Sequence, residues 1–254
     1  MADRSPARIV LHIGTHKTGS TSLQHFLRDH RDDLLASVGA AYPPGFLLPT
    51  LHSELPLLTV RPERTWPARL RLPETQRPAW LAAAEADVRR LVRSATSEVL
   101  VLSHEDLSYL RFDDEIARLQ ALLAGPAVDV VVFLREPTAF LRSYCEQLTA
   151  MEFALSDDPS SFAYVEPDSW LTDYEALLAV YRHGFGPDHV HVLDYDAAMA
   201  RDGSVIPAFT DLLGIPRPSL PPLDRYALNR TGANLRPSEE QLAAIRRRII
   251  EQAP

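Results

Sequence analysis

The stretch His12-Ile13-Gly14-Thr15-His16-Lys17-Thr18-Gly19-Ser20-Thr21-Ser22 decides the predicted fold of this chain. It follows a β-branched run over residues 8–13 and leads into residues 20–35, whose apolar positions are close to helical spacing. The order strand, tight loop, helix places glycines, a lysine and several hydroxyl groups at a helix N-terminus. Backbone N–H groups and the helix dipole attract anions there, and Lys17 adds a point charge. The stretch therefore predicts a phosphate-binding loop.

Strands and helices alternate along the rest of the chain. The strand-like segments are residues 8–13, 98–103, 128–134 and 189–193. Helical spacing or capping residues mark residues 79–94, 113–123, 137–151, 170–182, 205–213 and 238–250. Strands that are apolar on both faces and alternate with helices predict an α/β fold, a three-layer sandwich whose central, mostly parallel sheet is flanked by helices. Ligands bind such sheets at the carboxyl ends of the strands.

A proline-rich stretch interrupts this alternation. Residues 43–78 contain eight prolines, so we expect an irregular insertion with at most short helical turns, within a single domain over residues 1–254. Long excursions of this kind often form substrate walls, here together with residues 152–170. Four aromatic residues in or next to residues 43–78 and 152–170 either line an acceptor pocket or simply pack in the core. They are Phe46, Trp66, Trp80 and Phe153.

Composition and charge restrict the class of protein. The chain has 254 residues, of which 46% are hydrophobic, and a net charge of −8, which argues against broad binding of nucleic acid or anionic membrane. No apolar run approaches the roughly 20 residues that cross a bilayer, and the first residues carry no signal-peptide pattern. The single cysteine, Cys145, cannot form an internal disulfide. We expect a cytoplasmic protein with a small-molecule partner and leave its oligomeric state open.

The loop resembles the 5′-phosphosulfate loop of sulfotransferases that use 3′-phosphoadenosine 5′-phosphosulfate (PAPS). Its lysine precedes the second glycine, whereas the nucleotide-triphosphate loop ends in Gly-Lys-Ser/Thr. The resemblance implies a P-loop-like sandwich, PAPS as the sulfuryl donor and a bacterial, cytosolic type of enzyme. It also implies that Lys17 contacts the 5′-phosphate and the oxygen that bridges to sulfur. The other residues implied in donor binding by this loop are Gly14, Thr15, Thr18, Gly19, Ser20, Thr21 and Ser22.

A second motif of the same family holds the 3′-phosphate with an arginine at a strand end and a serine eight residues later. Arg135 and Ser143 have this spacing, about two helical turns apart. Residues 193–196 resemble the family's strand and following turn, which would place Tyr195 near the adenine, although packing in the core also explains a lone tyrosine. Arg230 lies where family members carry a basic loop, and a surface arginine explains it equally well.

The catalytic base is left open between two regions. Ser103-His104-Glu105-Asp106 directly follows a strand, and members of the resembling family place either a histidine or a glutamate there. The proline-rich insertion offers His52 and Glu54 as a second choice, as in other branches of the family. We rank Glu105 and His104 first and His52 next. A neutral histidine suits proton abstraction near neutral pH, whereas a glutamate needs its pKa raised. The ordinary alternative for His104 or Asp106 is a cap of the turn before Leu107, and for His52 or Glu54 it is a solvated loop position.

Two other functions compete with sulfuryl transfer to a hydroxyl group or, secondarily, an amine. A P-loop kinase needs ATP, Mg²⁺ and an acidic metal partner after a strand, and the displaced lysine argues against it. A non-catalytic nucleotide-binding module would keep the fold and lose the base. The histidines and carboxylates show no metal-ligand spacing, so we expect no metal.

Overall fold

The computed structural model describes residues 6–64, Trp66 and residues 77–228. Five parallel strands form one sheet in the order β2-β3-β1-β4-β5. The strands are β1 (Arg8–His12), β2 (Ala40–Ala41), β3 (Val99–Ser103), β4 (Ala127–Leu134) and β5 (Val190–Asp194). All five residues of β3 are buried, and so are Val130, Val131, Val132 and Phe133 of β4, as is typical of strands covered on both faces. The α/β class and the parallel sheet predicted from the alternation are confirmed.

Helices cover both faces of the sheet. They are α1 (Ser20–Asp29), α2 (Arg31–Val38), α3 (Glu54–Thr59), α4 (Arg77–Ser94), α5 (Asp113–Leu122), α6 (Pro137–Ala150), α7 (Tyr174–Phe185), α8 (Tyr195–Asp202) and α9 (Ile206–Leu212). A short 3₁₀ helix over Glu105–Tyr109 follows β3 directly. Alternate residues of β1 enter opposite cores: Ile9 and Leu11 face α3 to α7, and Val10 faces α1, α2, α8 and α9. This period of two produces the three layers.

Two predicted helices have different bounds in the structure. The helix expected over residues 20–35 divides at His30, which leaves the helical conformation (φ −111°, ψ 20°). Arg225 Nη2 lies 2.9 Å from His30 Nε2, and the His30 ring contacts Tyr226 edge-on. These two contacts hold the His30 ring in place. The helix expected from Trp170 begins at Tyr174, because Asp173 Oδ1 accepts a hydrogen bond from the Ala176 N–H and caps it there.

The turn expected after β5 is helix α8, which Asp194 caps by accepting a hydrogen bond from the Ala197 N–H. The proline-rich insertion contains the predicted short helical turn as α3. The helix predicted over residues 238–250 lies outside the described residues. No helix in the described part of the chain is long and apolar enough to cross a membrane.

Candidate active site

The loop after β1 is fastened to β4 beside it. The Phe133 N–H donates to the Gly14 carbonyl over 2.7 Å, and the Thr15 N–H donates to the Phe133 carbonyl over 3.1 Å. The Thr15 hydroxyl bonds the same carbonyl over 3.2 Å. These bonds extend the sheet past the end of β1 and place the loop at the carboxyl edge, where a ligand of a parallel sheet is expected.

The loop leads into an uncapped helix N-terminus. Gly19 takes a left-handed conformation (φ 79°) just before α1, whose first turn has neither an acidic side chain nor a side-chain cap. The Thr18 hydroxyl donates a hydrogen bond to the Thr15 carbonyl over 2.6 Å, and the Ser20 hydroxyl donates to the same carbonyl over 3.3 Å. These two side chains therefore shape the loop itself. Thr21 is half-buried and Ser22 is buried in the same turn. The first N–H groups of α1 have no intrahelical partner and can therefore bind an anion.

Lys17 is the only lysine in the chain and lies in this loop with a positive φ of 59°. Its side chain is half-buried. Burial lowers the pKa of Lys17, the neighbouring positive charge of Arg135 lowers it further, and Glu146 opposes both effects. A cation under these conditions gains most from a bound anion, because the anion compensates both the lost water and the like charge.

Arg135 follows β4 and approaches the same loop. Its Nη1 atom donates to the Lys17 carbonyl over 3.4 Å, and its guanidinium lies 5.2 Å from the centre of the Tyr195 ring. The Tyr174 hydroxyl donates to the Arg135 carbonyl over 2.8 Å and holds the turn. Among the described residues, none accepts a hydrogen bond from the buried Arg135 Nε. Arg135 therefore keeps unused donor capacity at the loop.

The other residues predicted to bind the 3′-phosphate and adenine are only partly located. Ser143 is half-buried on α6, the helix that begins two residues after Arg135. Tyr195 is half-buried at the start of α8, and its ring faces the Arg135 guanidinium, so it lies beside the loop; its contact with the adenine stays a prediction. Arg230 lies outside the described residues.

Glu105 lies against the loop at the end of β3. A Cβ atom added to Gly14 would lie 2.9 Å from Glu105 Cα, so only glycine allows the two backbones to approach this closely. Gln24 Nε2 on α1 donates to Glu105 Oε2 over 2.8 Å. Glu105 is half-buried. Both carboxylates of the 103–106 segment thus lie beside the loop after β1: Glu105 lies against Gly14, and Asp106 Oδ1 lies 3.0 Å from His16 Nε2.

His104 is occupied as a cap. Its Nδ1 atom accepts a hydrogen bond from the Asp106 N–H over 3.0 Å and caps the 3₁₀ helix. In the neutral ring the proton is then on Nε2, so the lone pair that would take an acceptor's proton is already used. The structure thus disfavours the His104 side chain as the base.

The two candidates from the proline-rich insertion are deeply buried. His52 Nδ1 accepts the Ser103 N–H over 3.1 Å, and burial lowers the pKa of His52 to about 4. Glu54 is 1% exposed, and burial raises its pKa to about 8, although the Phe46 N–H donates to Oε2 over 3.3 Å. Neither side chain is accessible to an acceptor from solvent, so both act as interior groups that support the insertion.

Two loop histidines have supporting contacts. His12 Nδ1 lies 2.8 Å from Ser103 Oγ. His16 Nε2 lies 3.0 Å from Asp106 Oδ1, and its ring stacks on Tyr109 at 4.8 Å. Both histidines therefore connect the loop and the end of β1 to residues 103–106.

Of the aromatic residues considered for an acceptor pocket, Trp66 and Trp80 are buried in the core, each 2% exposed. Phe46 and Phe153 are partly buried against the same cluster. The packing alternative therefore holds for the two tryptophans. No cluster of metal-ligating side chains occurs among the described residues.

Sequence reasoning missed Gln24. It is 1% exposed and donates to both Ser103 Oγ and Glu105 Oε2. The available signal was a polar residue next to Leu23 and near Phe26 on the buried side of an amphipathic helix. Periodicity marks such a residue as unusual and does not identify its distant partner.

Comparison with known proteins gives one family. A family model described as the sulfotransferase family matches residues 10–219. The crystal structure of a sulfotransferase from Alicyclobacillus acidocaldarius is 17% identical, with a TM-score of 0.55, over 97% of this chain and 94% of that chain. The sulfotransferase domain of the Synechococcus PCC 7002 olefin synthase is 16% identical, with a TM-score of 0.50, over 100% and 97%. At these identities the two structures show a shared fold. No curated protein matches the chain.

Proposed function

Because the chain belongs to the sulfotransferase family, we propose that it transfers a sulfuryl group from PAPS to a hydroxyl group, or secondarily an amine, of a small-molecule acceptor. Family membership identifies the protein as a transferase. The donor, the class of acceptor and the role of each residue belong to the proposal.

The observation that carries the proposal is the position of Lys17 and Arg135 together at the N-terminus of α1. Arg135 Nη1 bonds the Lys17 carbonyl over 3.4 Å, and the first turn of α1 has no acidic residue. Backbone N–H groups, an ammonium group and a guanidinium group with a free donor all favour anions. This donor set fits a nucleotide that carries phosphate groups at two positions, and the 5′ and 3′ groups would be bound by Lys17 and Arg135 respectively.

PAPS would supply the activated sulfuryl group. Lys17 and the N–H groups of α1 would stabilise the negative charge that develops on the leaving 5′-phosphate as its bond to sulfur breaks. Glu105 would accept the proton of the acceptor hydroxyl while the acceptor oxygen forms its bond to sulfur. The products are then a sulfated acceptor and 3′-phosphoadenosine 5′-phosphate (PAP), with one proton on Glu105.

Glu105 is proposed as the base because of its position and its free oxygen. Gln24 occupies Oε2, and none of the described residues donates a hydrogen bond to Oε1. His104 uses its Nδ1 lone pair as a cap, and His52 is buried at 1% exposure. Of the candidates predicted from the sequence, Glu105 is therefore the one proposed as the base.

Calorimetric titration with PAP, ADP and ATP with Mg²⁺ tests the donor site. We expect PAP to bind most tightly, because only PAP offers a 3′-phosphate to Arg135. The Lys17→Ala variant should keep its melting temperature and lose turnover of PAPS, since a half-buried loop lysine contributes more to charge stabilisation than to packing. Preference for ATP with Mg²⁺ would contradict the proposal in favour of a kinase. Normal turnover by Lys17→Ala would contradict the role of Lys17.

A further inference from the structure

A chain of buried polar side chains connects α1 to the proposed base. Gln24, one turn into α1, is 1% exposed and lies between β3 and the 3₁₀ helix that follows it. Its Nε2 atom is 2.8 Å from Glu105 Oε2 and 3.2 Å from Ser103 Oγ. A buried amide costs free energy unless its hydrogen-bonding groups are paired, so this placement is specific.

The chemistry of the partners fixes the orientation of the amide. An ionised carboxylate only accepts hydrogen bonds, so the NH₂ end of Gln24 must face Glu105. Its second hydrogen then points to Ser103 Oγ, which accepts it. One NH₂ group therefore joins the strand end to the carboxylate.

His12 completes the chain on the other side of Ser103. The Ser103 hydroxyl can donate its own hydrogen to His12 Nδ1, 2.8 Å away. Burial lowers the pKa of His12 to about 4, so the ring is neutral near pH 7 and Nδ1 can accept. Phe133 and Phe209 contact the ring edge-on and restrict its rotation. The chain of hydrogen-bonded side chains thus runs from Glu105 through Gln24 and Ser103 to His12.

We propose that Gln24 is a positioning residue, which holds Glu105 Oε2 so that Oε1 is presented to the acceptor hydroxyl. This inference rests on the proposed function, because it takes Glu105 as the base. A hydrogen bond to a charged group is stronger than a neutral one, and it restricts the rotation of a half-buried carboxylate. The contact of Gly14 with the Glu105 backbone fixes the other end of the same residue.

The test compares Gln24→Met, Glu105→Gln and the double variant, with PAPS as donor and 4-nitrophenol as the probe acceptor. Methionine keeps the length of glutamine and removes both donors. For Gln24→Met we expect kcat to fall roughly 10- to 100-fold while the Kd for PAP is unchanged, because a misplaced base affects the reaction and not donor binding. The double variant should be no slower than Glu105→Gln alone, because Gln24 then has no base to position.

Gln120→Met is the matched control. Gln120 is exposed on α5, and its Nε2 donates to the Gly184 carbonyl over 2.6 Å, remote from the loop. We expect it to have wild-type kcat. If Gln24→Met fails to fold, Ser103→Ala tests the same contact, because it removes the hydroxyl to which Gln24 donates. Ser103→Ala should lower kcat in the wild-type background and have no further effect in Glu105→Gln.

The outcomes separate the two proposals. If the wild type forms no PAP from PAPS, the proposed function fails, and the inference fails with it. If the wild type turns over but the losses of Gln24→Met and Glu105→Gln multiply in the double variant, sulfuryl transfer stands and the role of Gln24 is overturned. A loss of PAP affinity that accounts for the whole effect of Gln24→Met would also overturn it.

Discussion

Arg135 donates a hydrogen bond from Nη1 to the carbonyl of Lys17 over 3.4 Å, and this contact holds two cationic side chains at one edge of the sheet. Arg135 also lowers the pKa of Lys17, after the larger effect of burial. A neighbouring like charge disfavours the charged form of a group, and a bound anion relieves this repulsion. If the proposed donor binds at this pair, its binding and the ionisation of Lys17 are therefore interdependent.

The first prediction concerns the titration of Lys17. Reductive methylation with ¹³C-formaldehyde labels one lysine in this chain, so its NMR signal needs no assignment beyond comparison with Lys17→Ala. We expect a midpoint below the ordinary value of 10.5, which rises in Arg135→Ala because a positive neighbour is removed. Bound PAP should raise it as well. A midpoint that Arg135→Ala leaves unchanged would contradict the coupling.

The second prediction concerns Arg135 and the 3′-phosphate. Arg135→Ala should weaken PAP binding by about 10- to 100-fold, since a charged hydrogen bond contributes roughly 1.5–3 kcal/mol. Binding of AMP, which lacks the 3′-phosphate, should change little. Arg142→Ala, at an exposed position of α6, is the control and should leave both affinities unchanged. Equal losses for PAP and AMP would exclude contact between Arg135 and the 3′-phosphate.

The third prediction uses two glycines with positive φ. Gly14 (φ 94°) lies against Glu105, whereas an added Cβ at Gly214 (φ 75°) meets nothing within 4 Å. Gly214→Ala should cost only the backbone strain, about 1–2 kcal/mol in urea unfolding, and keep its turnover. Gly14→Ala should cost more and lose turnover, because the Glu105 backbone must move. Similar behaviour of the two variants would show that the contact with Glu105 is unimportant.

The fourth prediction concerns the buried carboxyl group of Glu54. Burial raises its pKa to about 8 from the ordinary 4.5, so the folded state holds a proton that the unfolded state releases between these pH values. This group therefore contributes less stability as pH rises from about 4.5 to 8. Glu54→Gln keeps the shape and cannot ionise, so its melting temperature relative to wild type should increase over that pH range.

The control for Glu54 is Glu85→Gln on α4, where the carboxylate is about half exposed and pairs with Arg89. Its effect on the melting temperature should be small and should not increase toward pH 8. A difference between Glu54→Gln and wild type that stays constant from pH 5 to 8 would show that Glu54 does not carry this proton.

The sequence determined those features that depend on neighbouring residues. The alternation of buried runs and helical spacing predicts the α/β sandwich, and the family match over residues 10–219 and the parallel sheet confirm it. The loop after β1 is also local, because glycine, lysine and hydroxyl positions follow one another directly. The break at His30 was not predictable in this way, since Arg225 and Tyr226 hold that residue from almost two hundred positions away.

Only the tertiary structure distinguished among the base candidates. The sequence alone does not distinguish His104, Glu105 and His52. In the structure His104 caps the 3₁₀ helix and His52 is buried. Glu105 accepts a hydrogen bond from Gln24, which is 81 positions away in the sequence. Proton affinity and access depend on desolvation and on hydrogen-bond partners. Both are set by residues that meet only when the chain folds. A local pattern thus predicts a phosphate-binding loop, and long-range packing decides which side chains beside it are buried and which are hydrogen-bonded.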